Sequence, residues 1–212
     1  MKRDREQTEQ LLIDAVGAIV REAGIDAVGI NSVAREAGVD KVLIYRYFGD
    51  INGLLAAWVA RQDYFSRLQE LIGEGSDARS RDAVLGIAQR VLIGQLRSVV
   101  GNRELLEVFR WELGTRNAVT DEIARRREAQ GSAITKVFER AVDDASVDVR
   151  AMVTLLSAGI NYLALRAQTV DEYNGIPLTG KRGWKRLENA IASLLDIIGE
   201  KAFRGESAKD IA

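Results

Sequence analysis

The chain has 212 residues, 47% of them hydrophobic, and a formal net charge of −1. That is apolar mass enough for one large or two small packed units, and too little positive charge for indiscriminate nucleic-acid binding. It has no cysteine and no histidine, which excludes disulfides, imidazole and thiolate metal sites, and catalysis by either side chain. No catalytic residue, metal or cofactor is therefore expected. A single proline and the lack of clean alternation among Val, Ile and Thr point to an all-α chain. The first apolar run, LLIDAVGAIV, is broken by Asp14, and no uncharged stretch reaches membrane-spanning length. A cytoplasmic protein with no membrane partner is the expectation.

In chain order, Leu12, Ala15, Val16, Ile19 and Ala23 recur at helical spacing, so a helix is predicted over 8–23 with Gly24 as its stop. A short helix over 30–37 follows, with Gly29 as its N-cap and Gly38 at a sharp turn. Asp40 can cap a third helix ending near Phe48, and Asp50 or Asn52 a long amphipathic one over 53–72. GEGSDARS reads as a linker. Beyond it, caps at Ser80, Asn102, Thr120 and Asp148 predict helices ending near Val100, Leu113, Arg140 and Arg166. TVDEYNGIPLTGKRG reads as a loop and Trp184 to Phe203 as the last helix, giving about nine in all. Three short helices then longer ones imply a small head, residues 1–49, on a larger helical body, residues 50–212.

The head has a particular spacing. Ala34 sits where two helices cross closely, Gly38 four residues on takes a conformation that a Cβ disfavours, and Ile44 six further on plugs back against the first helix. That is the pattern of a helix-turn-helix, whose second helix lies in the DNA major groove. With Ile44 and Phe48 inward, Lys41, Val42, Leu43, Tyr45, Arg46 and Tyr47 point outward or to the flanks. A helix of two turns cannot bury all of these, whereas thymine methyls accept Val42 or Leu43, guanine acceptors suit Lys41, and phosphate oxygens suit tyrosine hydroxyls.

The stretch INSVAREAGVDKVLIYRYFGDINGLL resembles the DNA-binding head of the tetracycline-repressor (TetR) family, on Ala34, Ala37, Gly38, Val39, Ile44, Tyr45, Tyr47, Phe48, Asp50 and Leu54. The resemblance implies DNA contacts from Asn31, base-facing positions at Lys41, Val42 and Leu43, and phosphate contacts from Tyr45 and Tyr47. Three residues depart from the family pattern: Leu43 in place of a small hydroxyl residue, Ile51 in place of a lysine, and Asp40 in place of Ser or Thr. Residues 1–60 carry seven cationic side chains against nine acidic ones, a balance of −2. A Lys2-Arg3-Arg5 arm, expected to be flexible, can offset this.

The resemblance further implies a ligand-responsive repressor that binds a palindromic double-stranded DNA operator as a homodimer. The last two helices are its expected interface, through Leu156, Ile160, Leu163, Leu187, Ile191, Leu194 and Ile198. A pocket for an unknown small-molecule effector is expected in the body. Its candidates are the polar or aromatic residues in apolar helices: Trp58, Gln62, Phe65, Phe109, Arg110, Trp111, Asn161, Tyr162 and Arg166. One rival is a helical dimeric ligand-binding protein that keeps the fold but has lost DNA binding. An enzyme is the other, disfavoured because the carboxylate pairs Glu104/Glu107 and Asp143/Asp144 read as solvent-facing.

Overall fold

A computed structural model of the chain describes residues 2–61, 81–139 and 147–202. Among these residues the chain forms nine α-helices, a 3-10 turn and one short hairpin. The helices are α1 (Lys2–Ala23), α2 (Ile30–Ala37), α3 (Val42–Phe48), α4 (Ile51–Arg61), α5 (Arg81–Val99), α6 (Arg103–Gly114), α7 (Ala118–Glu139), α8 (Val149–Arg166) and α9 (Lys181–Ala202). The 3-10 turn, Ile25–Ala27, separates α1 from α2, and strands β1 (Glu172–Tyr173) and β2 (Ile176–Pro177) lie between α8 and α9. The architecture is all-α, as the sequence predicts. The GEGSDARS segment and residues 62–72 of the predicted fourth helix lie outside the described residues.

Two compact units divide the chain: residues 1–64 with 102–126, and residues 65–101 with 127–212. In the first, α1 supplies Leu12, Val16 and Val20, all fully buried at helical spacing, and α4 adds Leu54, Leu55 and Trp58. Val33 from α2, Ile44 from α3 and Val108, Trp111, Val119 and Ile123 complete one core. The first helix begins six residues before its predicted start at Thr8, because i,i+4 pairs carry the polar start. Arg5 Nε donates to Glu9 at 2.7 Å and Gln10 Nε2 to Asp14 at 2.6 Å. The expected flexible arm is thus helical.

In the second unit α5 packs on α8 and α9 through Val84, Ile87, Val91, Leu92 and Leu96. The caps at Asn102 and Asp148 are as predicted, accepting the amides of Leu105 and Ala151. The predicted cap at Thr120 is displaced: Asn117 Oδ1 accepts from Val119 and Thr120, while Thr120 Oγ1 accepts from the Asn117 amide. The predicted loop before α9 contains a hairpin pairing Glu172 with Pro177 and Tyr173 with Ile176. Asn174 and Gly175 both take positive φ at its tip, as a two-residue type I′ connection requires. Its second strand lies so close to α9 that a Cβ on Gly183 would sit 1.6 Å from the Pro177 carbonyl oxygen.

Within this unit Glu188 accepts from Arg97 Nε at 2.6 Å and from Lys185 Nζ at 3.0 Å. The Arg97 hydrogen bond, against the opposing pull of burial, holds the carboxyl down at about 2. A depressed carboxylate stabilises the fold above its unfolded value of about 4.3 and loses that contribution as pH falls through the folded value. Arg97 is largely exposed, so the contribution is at most about 1 kcal/mol. Glu188→Gln is expected to be less stable than wild type by up to that amount at neutral pH. The deficit closes as pH falls through about 2, read from urea midpoints at each pH.

Candidate nucleic-acid interface

The geometry of the head follows from a few local devices. Gly29 is extended, and its N–H donates to Ser32 Oγ at 2.9 Å, starting α2. Gly38 ends it in the left-handed region, φ 66°, with the Val39 amide reaching back to Ala34 O at 3.1 Å. Asp40 Oδ1 accepts the Val42 amide at 2.8 Å and so opens α3. Asp50 Oδ1 accepts the Gly53 amide at 2.8 Å and opens α4. Gly53 is obligatory there, since a Cβ would fall 2.0 Å from Phe48 O.

These devices explain two of the departures from the family pattern. Asp40 is a cap, its charge held by a helix N-terminus. Ile51 is half-buried and packs on the head core.

The side chains of α3 then separate by face. Ile44 is fully buried. Val42 is 60% and Tyr45 52% exposed, and Lys41 and Arg46 are exposed beside them. Asn31, at the start of α2, is also exposed. Leu43 and Tyr47 are half-buried, packed with Phe48 against the head core. The uncovered ridge therefore centres on Val42, Tyr45 and Arg46, with Leu43 and Tyr47 at its margins. It combines an apolar branched side chain, a phenol and two cations, which suits methyl groups, phosphate oxygens and base-edge acceptors together.

Behind the head lies a polar cluster that the sequence reading missed. Glu107, expected to face solvent, is only 7% exposed. Its Oε2 accepts the Ile25 amide at 3.0 Å and Arg110 Nη2 at 2.8 Å, and Arg110 also reaches Asp26 at 2.9 Å. Arg21 pairs with Glu104, and Arg103 Nη2 donates to Glu22 O at 3.3 Å. Gly24, at φ 83°, leaves room for the carboxylate: a Cβ there would lie 2.9 Å from Oε2. Burial raises the Glu107 carboxyl, but the Arg110 hydrogen bond, the Ile25 amide and the charges of Arg110 and Arg103 outweigh it, and the net shift is downward. Helix α6 thereby grips the end of α1 and the turn that leads into α2. Asp143 and Asp144 lie outside the described residues.

The residues predicted to line a pocket are divided between the two units. Trp58 and Trp111 are core side chains of the first unit, at helical spacing with Leu54, Leu55 and Val108. The Trp58 indole N–H is buried with no acceptor among the described residues. Phe109 is buried, and Arg110 belongs to the Glu107 cluster. Gln62 and Phe65 lie outside the described residues. In the second unit Asn161 Oδ1 accepts from Gln95 Nε2 at 2.9 Å, beside a Gln95–Ser157 hydrogen bond of the same length. Tyr162 is exposed and meets the Tyr173 ring edge-on, centroids 5.6 Å apart. Arg166 is half-buried and donates to Thr169 Oγ1 at 3.4 Å.

Among the described residues two cavities lie elsewhere. A cleft of about 300 Å³ is lined by residues between Glu112 and Ala124. An apolar void of about 30 Å³ lies among Val84, Phe138, Val153 and Leu195.

The predicted interface stripe also divides. Ile160 and Ile191 are buried inside the second unit. Leu156, Leu163, Leu187 and Ile198 are half-buried, and Leu194 is exposed. The inward stripe of α9 is Ile191, Leu195, Gly199 and Ala202, because Gly199 lets Leu85 approach. What remains outside is Leu155 at 73%, Tyr162 at 48%, Leu194 at 45% and Ile197 at 54% exposure.

The profile described as bacterial regulatory proteins, tetR family, matches residues 12–58, which span α1 to α4. The head belongs to the tetR family. A DNA-binding transcriptional regulator is the class that this family and the fold together indicate. Solved structures match along nearly the whole chain. A TetR-family transcriptional regulator from Rhodococcus sp. has 21% identity and a TM-score of 0.63, covering 91% of this chain and 99% of its own. FadR from Bacillus subtilis, solved with stearoyl-CoA, has 20% identity and a TM-score of 0.59, covering 88% and 96%. SmeT, solved with triclosan, has 17% identity and a TM-score of 0.62, covering 89% and 91%. At such identities the likeness is one of fold. No curated protein matches the chain.

Proposed function

We propose that this tetR-family chain is a ligand-responsive repressor that binds a palindromic operator as a homodimer. Residues 1–49 form the reading head and residues 50–212 the effector-binding and dimerisation body. The observation that carries the reading is the face of α3, where Val42 and Tyr45 stay more than half exposed while Ile44 between them is fully buried. Asn31, Lys41, Val42, Tyr45 and Arg46 are the direct contacts, with Leu43 and Tyr47 bracing the ridge from behind. Helices α8 and α9 supply the two-fold interface through the exposed Leu155, Tyr162, Leu194 and Ile197, since one head reads too few base pairs for specificity.

The effector class is apolar. SmeT is solved with triclosan and Bacillus subtilis FadR with an acyl-CoA, and the 30 Å³ void in the second unit is lined by apolar residues throughout. An effector that prefers the state whose heads mismatch the groove weakens DNA affinity by its preference ratio, tenfold per about 1.4 kcal/mol.

With few cations on the ridge, the salt dependence is shallow. The slope of log K against log salt is about −2 to −4 per head, measured by anisotropy on a labelled duplex over a potassium chloride series. A slope of about −8 or steeper contradicts this contact set. Sedimentation at micromolar protein tests the homodimer separately: a monomer there removes α8 and α9 as the interface.

A further inference from the structure

Arg5 is held at two points. Its Nε donates to Glu9 Oε1 at 2.7 Å, one turn along α1, and its guanidinium lies over the ring of Tyr47, 5.3 Å from the centroid. The side chain remains 60% exposed. Tyr47 sits in the last turn of α3, half-buried against the head core, so the ring is a fixed floor and not a free arm. We propose that Arg5, laid on Tyr47, is a phosphate contact of the head, passed from Glu9 to the DNA backbone when the recognition helix docks. The inference rests on the DNA-binding reading above and adds to it a residue from α1.

The energetics favour the exchange. An exposed i,i+4 ion pair is weak, so giving up Glu9 costs little. The planar guanidinium presents a fork that fits two phosphate oxygens, and the aromatic floor keeps the cation oriented without consuming its donors. The head needs such a group. Residues 1–60 balance to −2, but Asp40 and Asp50 are committed to the amides of Val42 and Gly53. A cation stored at the end of α3 joins the exposed Lys41 and Arg46 to make a local positive edge on an acidic head.

The test is a salt titration of binding to a labelled random-sequence duplex, using the full chain. Wild type, Arg5→Ala, Arg5→Lys and Glu9→Gln are compared, with far-UV circular dichroism to show that all four stay helical. Arg5→Ala is expected to flatten the slope by about 0.9 per head and to weaken binding about 3- to 10-fold at low salt. Arg5→Lys restores the slope, because the charge is kept. Glu9→Gln binds about 2- to 5-fold tighter, because the cation no longer has to leave a carboxylate. An Arg5→Ala slope equal to that of a wild type that binds the duplex overturns the Arg5 contact and leaves the DNA-binding reading standing. A wild type that binds no duplex at all overturns that reading, and this inference with it.

Discussion

Val42→Ala combined with Tyr45→Ala is expected to lower affinity for the selected operator about 30- to 1000-fold per head while leaving the fold intact. Each good base-edge or phosphate contact is worth about 1–2 kcal/mol, and two lost together make about 2–4 kcal/mol. Both side chains are more than half exposed, so their removal should change folding stability by no more than about 0.5 kcal/mol. This separation of binding from stability is what makes the pair informative. Ile44→Ala would also abolish binding, but by opening a cavity in the head at a cost of about 2–5 kcal/mol. Leu43→Ala and Tyr47→Ala mix the two effects, since both side chains are half-buried against the head core. Anisotropy on the operator duplex and urea unfolding on the same preparations check the prediction. Wild-type affinity in the double variant would mean that α3 is not the reading helix.

Glu107→Ala is expected to destabilise the protein by about 2–3 kcal/mol and lower its melting temperature by several degrees. The carboxylate is buried and accepts from both the Ile25 amide and Arg110. Truncation strands a buried backbone N–H, which by itself costs about 1–3 kcal/mol, and takes one of the two partners from Arg110. Glu107→Gln keeps an acceptor in place and should cost about half as much. The folded-state carboxyl is depressed, so its contribution is present above the unfolded value of about 4.3 and disappears as pH falls through the folded one. The deficit of Glu107→Ala relative to wild type should therefore shrink in acid. A deficit that grows as pH falls, or none at neutrality, would show that the cluster does not hold the turn at Ile25–Ala27. Because that turn leads into α2 through Val28 and Gly29, loosening it is also expected to reduce operator affinity.

The head was readable from sequence because its determinants are local. A glycine that must take positive φ, an aspartate three residues before the amide it caps, and a small residue at a helix crossing all act over a handful of positions, and Gly38, Asp50 and Ala34 do so here. The helical start of α1 was missed because residues 2–7 carry no apolar period; the Arg5–Glu9 and Gln10–Asp14 pairs support it. Glu107 was misread for the opposite reason. Its decisive partner, the Ile25 amide, is 82 positions away in the chain, and nothing in EVFRWELG singles out that glutamate from its neighbours. The stripe expected on α8 and α9 is split between faces, with Ile160 and Ile191 buried inside the unit and Leu194 exposed. Which residues face inward there is decided by Gly199 and Leu85 meeting across the unit. The hairpin carried a usable signal in Asn174-Gly175, but strands of two residues are too short to show alternation.

Selecting bound sequences from a random duplex pool, with wild type and the Val42→Ala/Tyr45→Ala variant in parallel, tests the central claim most directly. The reading predicts that wild type enriches an inverted repeat and that the variant, folded and equally dimeric, enriches none. Enrichment of the same repeat by the variant would contradict α3 as the reading surface, and no enrichment by wild type would contradict sequence-specific DNA binding altogether.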